Sequence, residues 1–421
     1  MRYRGILPPI LAGLVSAVVG YASSFTVVLA GLRAVGATPA QAASGLLALC
    51  LGIAATAIGL GLRYRMPISI AWSTPGAALL VATGHVPGGF PAAVGAFLVS
   101  AALMVLAGLL PWLARAIAAI PRPIAGAMLA GVILSLCTAP VRAVVDLPLL
   151  ATPVILAWAV LFRYARQWAV PGALLAAVIA IAVHGVHGPG GGLSGAELRP
   201  AAVLTVPTLN LSVVVSIAVP LFLVTMAAQN VPGMAVMATY GYTPPLRPML
   251  VATGLASAAA APFGGHAVNL AAITAALTAG PDTHPDPRRR WIATVALGSG
   301  QLALGLGASL AMALVLLSPP LLVIAVAGLA LLPALGSSLA TAVTEPEGRE
   351  AAVVTFVVTA SGMTIMGIGS AFWGLLAGGL TALLLHRRRP PASASTAPAA
   401  PAGAPSAPAP DPAPAAEAVR P

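Results

Sequence analysis

An apolar stretch that cannot be a single helix constrains this chain more than any other feature. Residues 67–84 read PISIAWSTPGAALLVATG, apolar enough to lie inside a bilayer. Ile68-Ser69-Ile70-Ala71-Trp72 alternates β-branched and small residues in the manner of an extended strand. Ser73-Thr74-Pro75 then supplies a hydroxyl N-cap and a proline for the first helical position, and Gly76 onward continues as helix. The pattern predicts a span that is half strand and half helix, its helix opening near mid-membrane.

Residues 262–280, PFGGHAVNLAAITAALTAG, repeat the design. Setting Pro67 on Pro262 puts Thr74 on Asn269, which gives each half-helix a capping side chain, and sets Ala71 opposite His266. Interrupted apolar segments in matching places of two halves point to a transporter's binding site. The two are expected to face each other across it.

The rest of the chain suits a membrane. Of 421 residues, 59% are hydrophobic and 7% charged, and mean hydropathy is +0.99. A soluble protein could not hide that much apolar surface, so a polytopic membrane protein is expected, with the lipid bilayer as its solvent. A formal charge of +11 could suggest nucleic acid, but all 20 basic residues are arginine and nearly all lie between apolar runs. Those are topology charges, and no nucleic-acid partner is expected. Cys50 and Cys137 sit in separate apolar runs and read as small buried hydrophobes, with no disulfide framework or metal site implied. The N-terminal apolar run imitates a signal peptide but continues through Phe25 to Gly31, too long for a cleaved one.

Apolar runs of spanning length fall at 10–32, 42–62, the broken 67–84, 92–112, 121–138, 148–163 and 168–187. After a Gly-rich loop they resume at 211–237, 247–261, the broken 262–280, 291–317, 319–337, 350–367 and 370–386. The expected fold is therefore all-α and polytopic, with 14 transmembrane segments in a 7+7 inverted repeat and the broken element third in each half. Its divisions are a first repeat at 1–187, an outer loop at 188–210, a second repeat at 211–389 and a disordered Pro/Ala-rich tail at 390–421. With both termini cytoplasmic, only Arg33, Arg142 and Arg199 of the 20 arginines fall outside, Arg420 lying in the tail. Leaving out either broken segment would destroy that asymmetry.

Ionisable groups inside a membrane are functional candidates because burying them is costly. Here every acid falls in a loop, at a span end or in the tail. Neutral polar groups and helix N-termini take their place. Two half-helices aiming N–H groups at one point make a site for a small anion, with hydroxyls from Ser73 and Thr74 and close backbone approach at Gly76 and Gly264-Gly265. His266 is the histidine expected at a span centre, where burial and a positive helix end disfavour imidazolium unless an anion binds beside it. That makes it the candidate for coupling a proton to an arriving carboxylate. Gln229-Asn230 place two amides mid-span ahead of Pro232, and Tyr21, Phe25 and Trp72 offer walls for an aromatic load. Each of these residue types also serves as helix packing or inter-helix glue, so both uses stand open from sequence.

Three stretches, LRYRMPISIAWSTPGAALL at 62–80, MAAQNVPGM at 226–234 and PFGGHAVNLAAITAAL at 262–277, resemble the benzoate/proton symporter family of BenE type. The resemblance runs over about residues 5–388. It implies import of benzoate, or a close aromatic carboxylate, with a proton across a bacterial inner membrane. It also implies a fold similar to nucleobase–ascorbate and sulfate-permease carriers, with spans 1–4 and 8–11 as core and 5–7 and 12–14 as gate. Carriers of that fold tend to pair through the gate, so a homodimer is among the implied partners. Uracil-type relatives bind the base with glutamates in the eighth and tenth spans, where this chain has Gln229-Asn230 and His266/Asn269. The swap favours an anionic load over a nucleobase. A passive anion channel or exchanger, or a nucleobase-type carrier on the same fold, are the alternatives. An enzyme is not expected, since no span carries a metal cluster, paired carboxylates or a nucleophile–base set, and no cofactor is implied.

Overall fold

Proline sets where many of the helices start. In the computed structural model, which describes residues 5–110, 112, 121–184, 199–271 and 273–385, a proline occupies one of the first two positions of helices α1 (Leu7–Ala22), α3 (Pro39–Tyr64), α4 (Thr74–Thr83), α6 (Arg122–Asp146), α7 (Pro148–Tyr164) and α14 (Pro320–Thr344). There its missing N–H costs nothing and its fixed φ favours the helix. Between them run α2 (Phe25–Ala34), α5 (Gly89–Leu109), α8 (Ala169–His184), α9 (Leu211–Thr239), α10 (Leu246–Ala260), α11 (Ile273–Ala279), α12 (Trp291–Leu306), α13 (Ala308–Leu317), α15 (Arg349–Ala360) and α16 (Ser370–Leu385). Four short strands complete the fold: β1 (Ile70–Trp72), β2 (Val268–Leu270), β3 (Thr364–Ile365) and β4 (Ile368–Gly369). All but the end of α16 belong to one compact unit, Met1–Leu384.

Among the described residues, seven helices are long and apolar enough to cross a membrane, counting α1 with α2. They become eight if α12 and α13, bent by 55° at Gly307, form one span. The helices α4, α7 and α16 are apolar but shorter. Both broken segments are strand followed by helix, as their residue patterns predict.

Several boundaries depart from the sequence reading. The first span is not continuous, because α1 stops at Ala22 and Ser23-Ser24 turn the chain before α2. The runs expected at 121–138 and 319–337 extend to Asp146 and Thr344, carrying Pro140 and Pro333 inside their helices. The span expected at 350–367 is wrong: α15 ends at Ala360, and a β3–β4 hairpin with Gly362 and Gly367 at positive φ takes the rest. Apolar composition alone hid those turn glycines. The helix α9 contains two π-helical turns, Val214–Ala218 and Met226–Asn230, each just ahead of a proline at Pro220 or Pro232. A proline clashes with the carbonyl four residues earlier, and an i→i+5 turn relieves that crowding. The tail and the arginines at 387–389 lie outside the described residues.

Small residues let the helices approach closely, as expected where lipid supplies no hydrophobic drive between helices. Gly328 of α14 rests against the Leu136 carbonyl and Pro140 of α6, where a Cβ would collide with backbone. Gly13 of α1 rests in the same way on Ala293 of α12. Gly328→Val should therefore destabilise the protein by about 1–3 kcal/mol through overpacking, seen as a lowered melting temperature in detergent. The described part of the loop expected at 188–210 is not loose. Val203 N donates to Ser44 Oγ (2.8 Å), Thr205 N to the Pro262 carbonyl (2.7 Å) and Thr208 N to the Pro91 carbonyl (3.0 Å). That strap ties α3 and the start of α5 to the lead-in of β2.

Candidate substrate-binding site

The two broken segments meet. Strands β1 and β2 pair antiparallel with Ile70 on Leu270, Ala71 on Asn269 and Trp72 on Val268. Ser73 N donating to the Ala267 carbonyl (3.0 Å) and Ala271 N to the Ser69 carbonyl (2.9 Å) extend the ladder. The helices α4 and α11 leave this ribbon at opposite ends, so both N-termini face it. In this ladder Asn269 pairs with Ala71, and His266 lies beyond the paired strand residues. Asn269 lies inside β2 and does not cap α11, and the cap of α4 is Ser73, with Thr74 as its first helical residue.

A two-stranded ribbon in an apolar interior must find partners for its outer edge. On β2, Val268 N donates to Ser257 Oγ (2.8 Å) and Leu270 N to Asn230 Oδ1 (2.9 Å). Asn230 Nδ2 approaches Met226 Sδ at 3.2 Å. The structure thus places Asn230 behind the strand as its edge partner. Gln229, beside it on the π turn, is half-buried, and its side chain makes no hydrogen bond among the described residues.

Ser73 is fully buried, and its polar atoms can be counted. Its Oγ accepts from Gly76 N (3.1 Å) and from Thr225 Oγ1 (2.8 Å). Its carbonyl accepts from Ala77 N (2.8 Å) and from His266 Nε2 (2.9 Å). Gly76 presses against Leu221 of α9 and Ser73, and a side chain there would collide with both. Thr74 is half-buried, more open than its neighbours Ser73 and Pro75. Since a carbonyl only accepts, His266 carries its hydrogen on Nε2, and Nδ1 is buried with no partner. His266 therefore stands at the cap of α4, the other half-helix, and not just before its own. Its ring lies edge-on to Phe97, centroids 6.4 Å apart. Gly265 packs on Ala260, and Gly264 takes the positive φ (95°) that lets the chain turn beside Gly45 of α3.

Asn269 is the most exceptional side chain here. It is 0% exposed, and neither Oδ1 nor Nδ2 has a partner. An amide buried so costs about 1–3 kcal/mol, so its retention asks for a functional reason. The hydroxyls of Tyr21, Thr26 and Thr274 are likewise buried and unpaired.

The aromatics form a wall tied to β1. Tyr21 stacks on Phe25 (5.3 Å) and meets Trp72 edge-on (5.6 Å), and Trp72 Nε1 donates to Ser24 Oγ (2.9 Å). The break between α1 and α2 is what brings Ser24 to the indole. Phe25 and Thr26 also line an apolar groove with Leu174 and Val178 of α8, Val315 of α13 and Val326 of α14. Sequence reasoning missed Thr225, Ser24, Ser257 and Phe97. Only Thr225 left a trace, since it lies five residues before Asn230, the repeat of a π turn.

A profile of the family described as benzoate membrane transport protein matches residues 6–384. This chain belongs to the benzoate membrane transport family. It is a membrane transporter and not an enzyme. Among relatives of the family, the Benzoate membrane transport protein of Acinetobacter baylyi is 32% identical over 388 residues, 91% of this chain and 96% of that one. The inner membrane protein YdcO of Escherichia coli is 39% identical over 388 residues, 92% of this chain and 98% of that one. A multi-pass inner-membrane protein is the class that this relative and the apolar helices support. Two solved structures share the fold. The transmembrane domain of the cyanobacterial bicarbonate transporter BicA superposes with a TM-score of 0.56 at 15% identity, over 90% of this chain and 98% of that one. Murine Slc26a9, an anion transporter in its inward-facing state, gives 0.57 at 13% identity, over 91% of this chain and 69% of that one.

Proposed function

We propose that this protein imports benzoate, or a close aromatic carboxylate, together with a proton across the inner membrane by alternating access. One observation carries the reading: a fully buried, unpaired Asn269 amide at the crossing of two broken segments, beside the capped N-terminus of α4. Benzoate, with a carboxyl pKa of roughly 4, arrives as the anion. The Ser73 hydroxyl and the Asn269 Nδ2 group are donors suited to a carboxylate, and they stand at the positive end of α4. Tyr21, Phe25 and Trp72 supply apolar faces for the ring. The family to which the chain belongs and the benzoate transporter among its relatives support that load.

In this reading His266 takes the proton on Nδ1 when the carboxylate arrives, so the loaded site moves without net charge. The fourteen-segment, 7+7 inverted repeat is the frame, and the antiparallel meeting of β1 with β2 is what two inverted halves would produce. Its core is α1–α5 with α9–α13 and its gate α6–α8 with α14–α16, both termini being cytoplasmic. The core moves against the gate, and the groove beside Phe25 lies between the two. Radiolabelled benzoate uptake into proteoliposomes tests the reading. Uptake should rise with an inward proton gradient and be competed by unlabelled benzoate but not by uracil. Uptake indifferent to the gradient would instead mark a passive exchanger. His266→Gln should retain benzoate binding while losing the response to the gradient. An unchanged pH profile in that variant would remove His266 from the coupling.

A further inference from the structure

We infer that Thr225 is a positioning residue that turns the Ser73 hydroxyl hydrogen toward the substrate's carboxylate. The inference rests on the proposed carboxylate site and adds a residue that its geometry singles out.

Threonines and serines in the helices of this protein mostly return their hydroxyl to a carbonyl of their own helix. Thr56 donates to Gly52 O, Thr83 to Leu79 O, Thr253 to Met249 O and Thr355 to Ala351 O, all at 2.6–2.8 Å. That local bond is the ordinary way to bury a hydroxyl in a helix. Thr225, 0% exposed, does not use it. It reaches out of α9, at the threshold of the π turn Met226–Asn230, and donates to Ser73 Oγ at 2.8 Å.

The consequence follows from what a serine oxygen can hold. A hydroxyl has two acceptor sites and one hydrogen. Gly76 N–H takes one acceptor site of Ser73 Oγ and Thr225 the other. The Ser73 N–H and carbonyl are committed to Ala267, Ala77 and His266. One capacity is left, the Oγ hydrogen, which can only be given away. Without Thr225, Ser73 Oγ would keep a free acceptor site on the side of α9, and nothing would fix the direction of its hydrogen. Thr225 thus converts a hydroxyl that could accept or donate into one that donates. An anionic load needs that polarity, and a load presenting an N–H would not.

The test uses the full-length protein in proteoliposomes with benzoate as the probe. Thr225→Val keeps shape and removes the donor, and Thr225→Ser restores it. Thr225→Val should raise the KM for benzoate about tenfold, the scale of one charge-assisted hydrogen bond, with Vmax changed less than twofold. Thr225→Ser should return KM to within twofold of the wild type. An unchanged KM in Thr225→Val overturns the assignment. So does a fall in Vmax and melting temperature at constant KM, which would mark a packing role, and so does a Thr225→Ser protein no better than Thr225→Val. Wild-type protein that neither binds nor carries benzoate would instead overturn the site reading, and this assignment with it.

Discussion

Ser73→Gly should lose at least tenfold in benzoate uptake while melting within a few degrees of the wild type. Glycine at an N-cap costs only a few tenths of a kcal/mol relative to serine, whereas alanine costs about 1 kcal/mol. The glycine variant keeps the backbone of the cap, leaves Gly76 N–H and the Thr225 hydroxyl without their acceptor, and removes the one hydrogen the Ser73 side chain has to give. A hydrogen bond to a charged group contributes about 1.5–3 kcal/mol, which is tenfold or more in affinity. Ser73→Ala should lose transport and stability together. Comparing the two separates capping from substrate contact. A Ser73→Gly protein with wild-type uptake would show that the hydroxyl serves only the helix.

Asn269→Asp should be the more severe change. It alters almost no volume at a 0% exposed position but puts a carboxylate into a site whose described neighbours include no acid. Two unit negative charges about 4 Å apart repel by about 4 kcal/mol at an effective permittivity of 20. Benzoate uptake at neutral pH should fall by two to three orders of magnitude. Asn269→Ala, which removes two unpaired polar atoms without adding charge, should raise the melting temperature and still weaken binding. Wild-type uptake by the aspartate variant would place the carboxylate away from β2.

The strands and half-helices were legible before any fold was known, because proline, hydroxyl caps and β-branched alternation act over a few residues. Ser73-Thr74-Pro75 starts α4 where its chemistry says it must. Asn269, read as the cap of the second half-helix, lies inside β2 opposite Ala71, because ladder bonds between the two segments keep the chain extended that far. The hairpin after Ala360 was read as helix because its residues are as apolar as a span. Asn230, a mid-span amide whose use the sequence left open between site and inter-helix glue, accepts from Leu270 N at the edge of β2. Its role depends on a π turn that periodicity of four does not reveal.

The sequence by itself determined that the chain lives in a membrane, that two of its apolar segments break, and that the polar groups available there are neutral. Those follow from composition and from local backbone preference. Only the tertiary structure decided which of these groups are already committed. Thr225 and Asn230 satisfy partners far along the chain, while the Asn269 amide, the Tyr21 hydroxyl and Nδ1 of His266 are left unpaired. A hydrogen bond is decided by where two atoms finally lie, and residues distant in sequence meet only once the helices have packed.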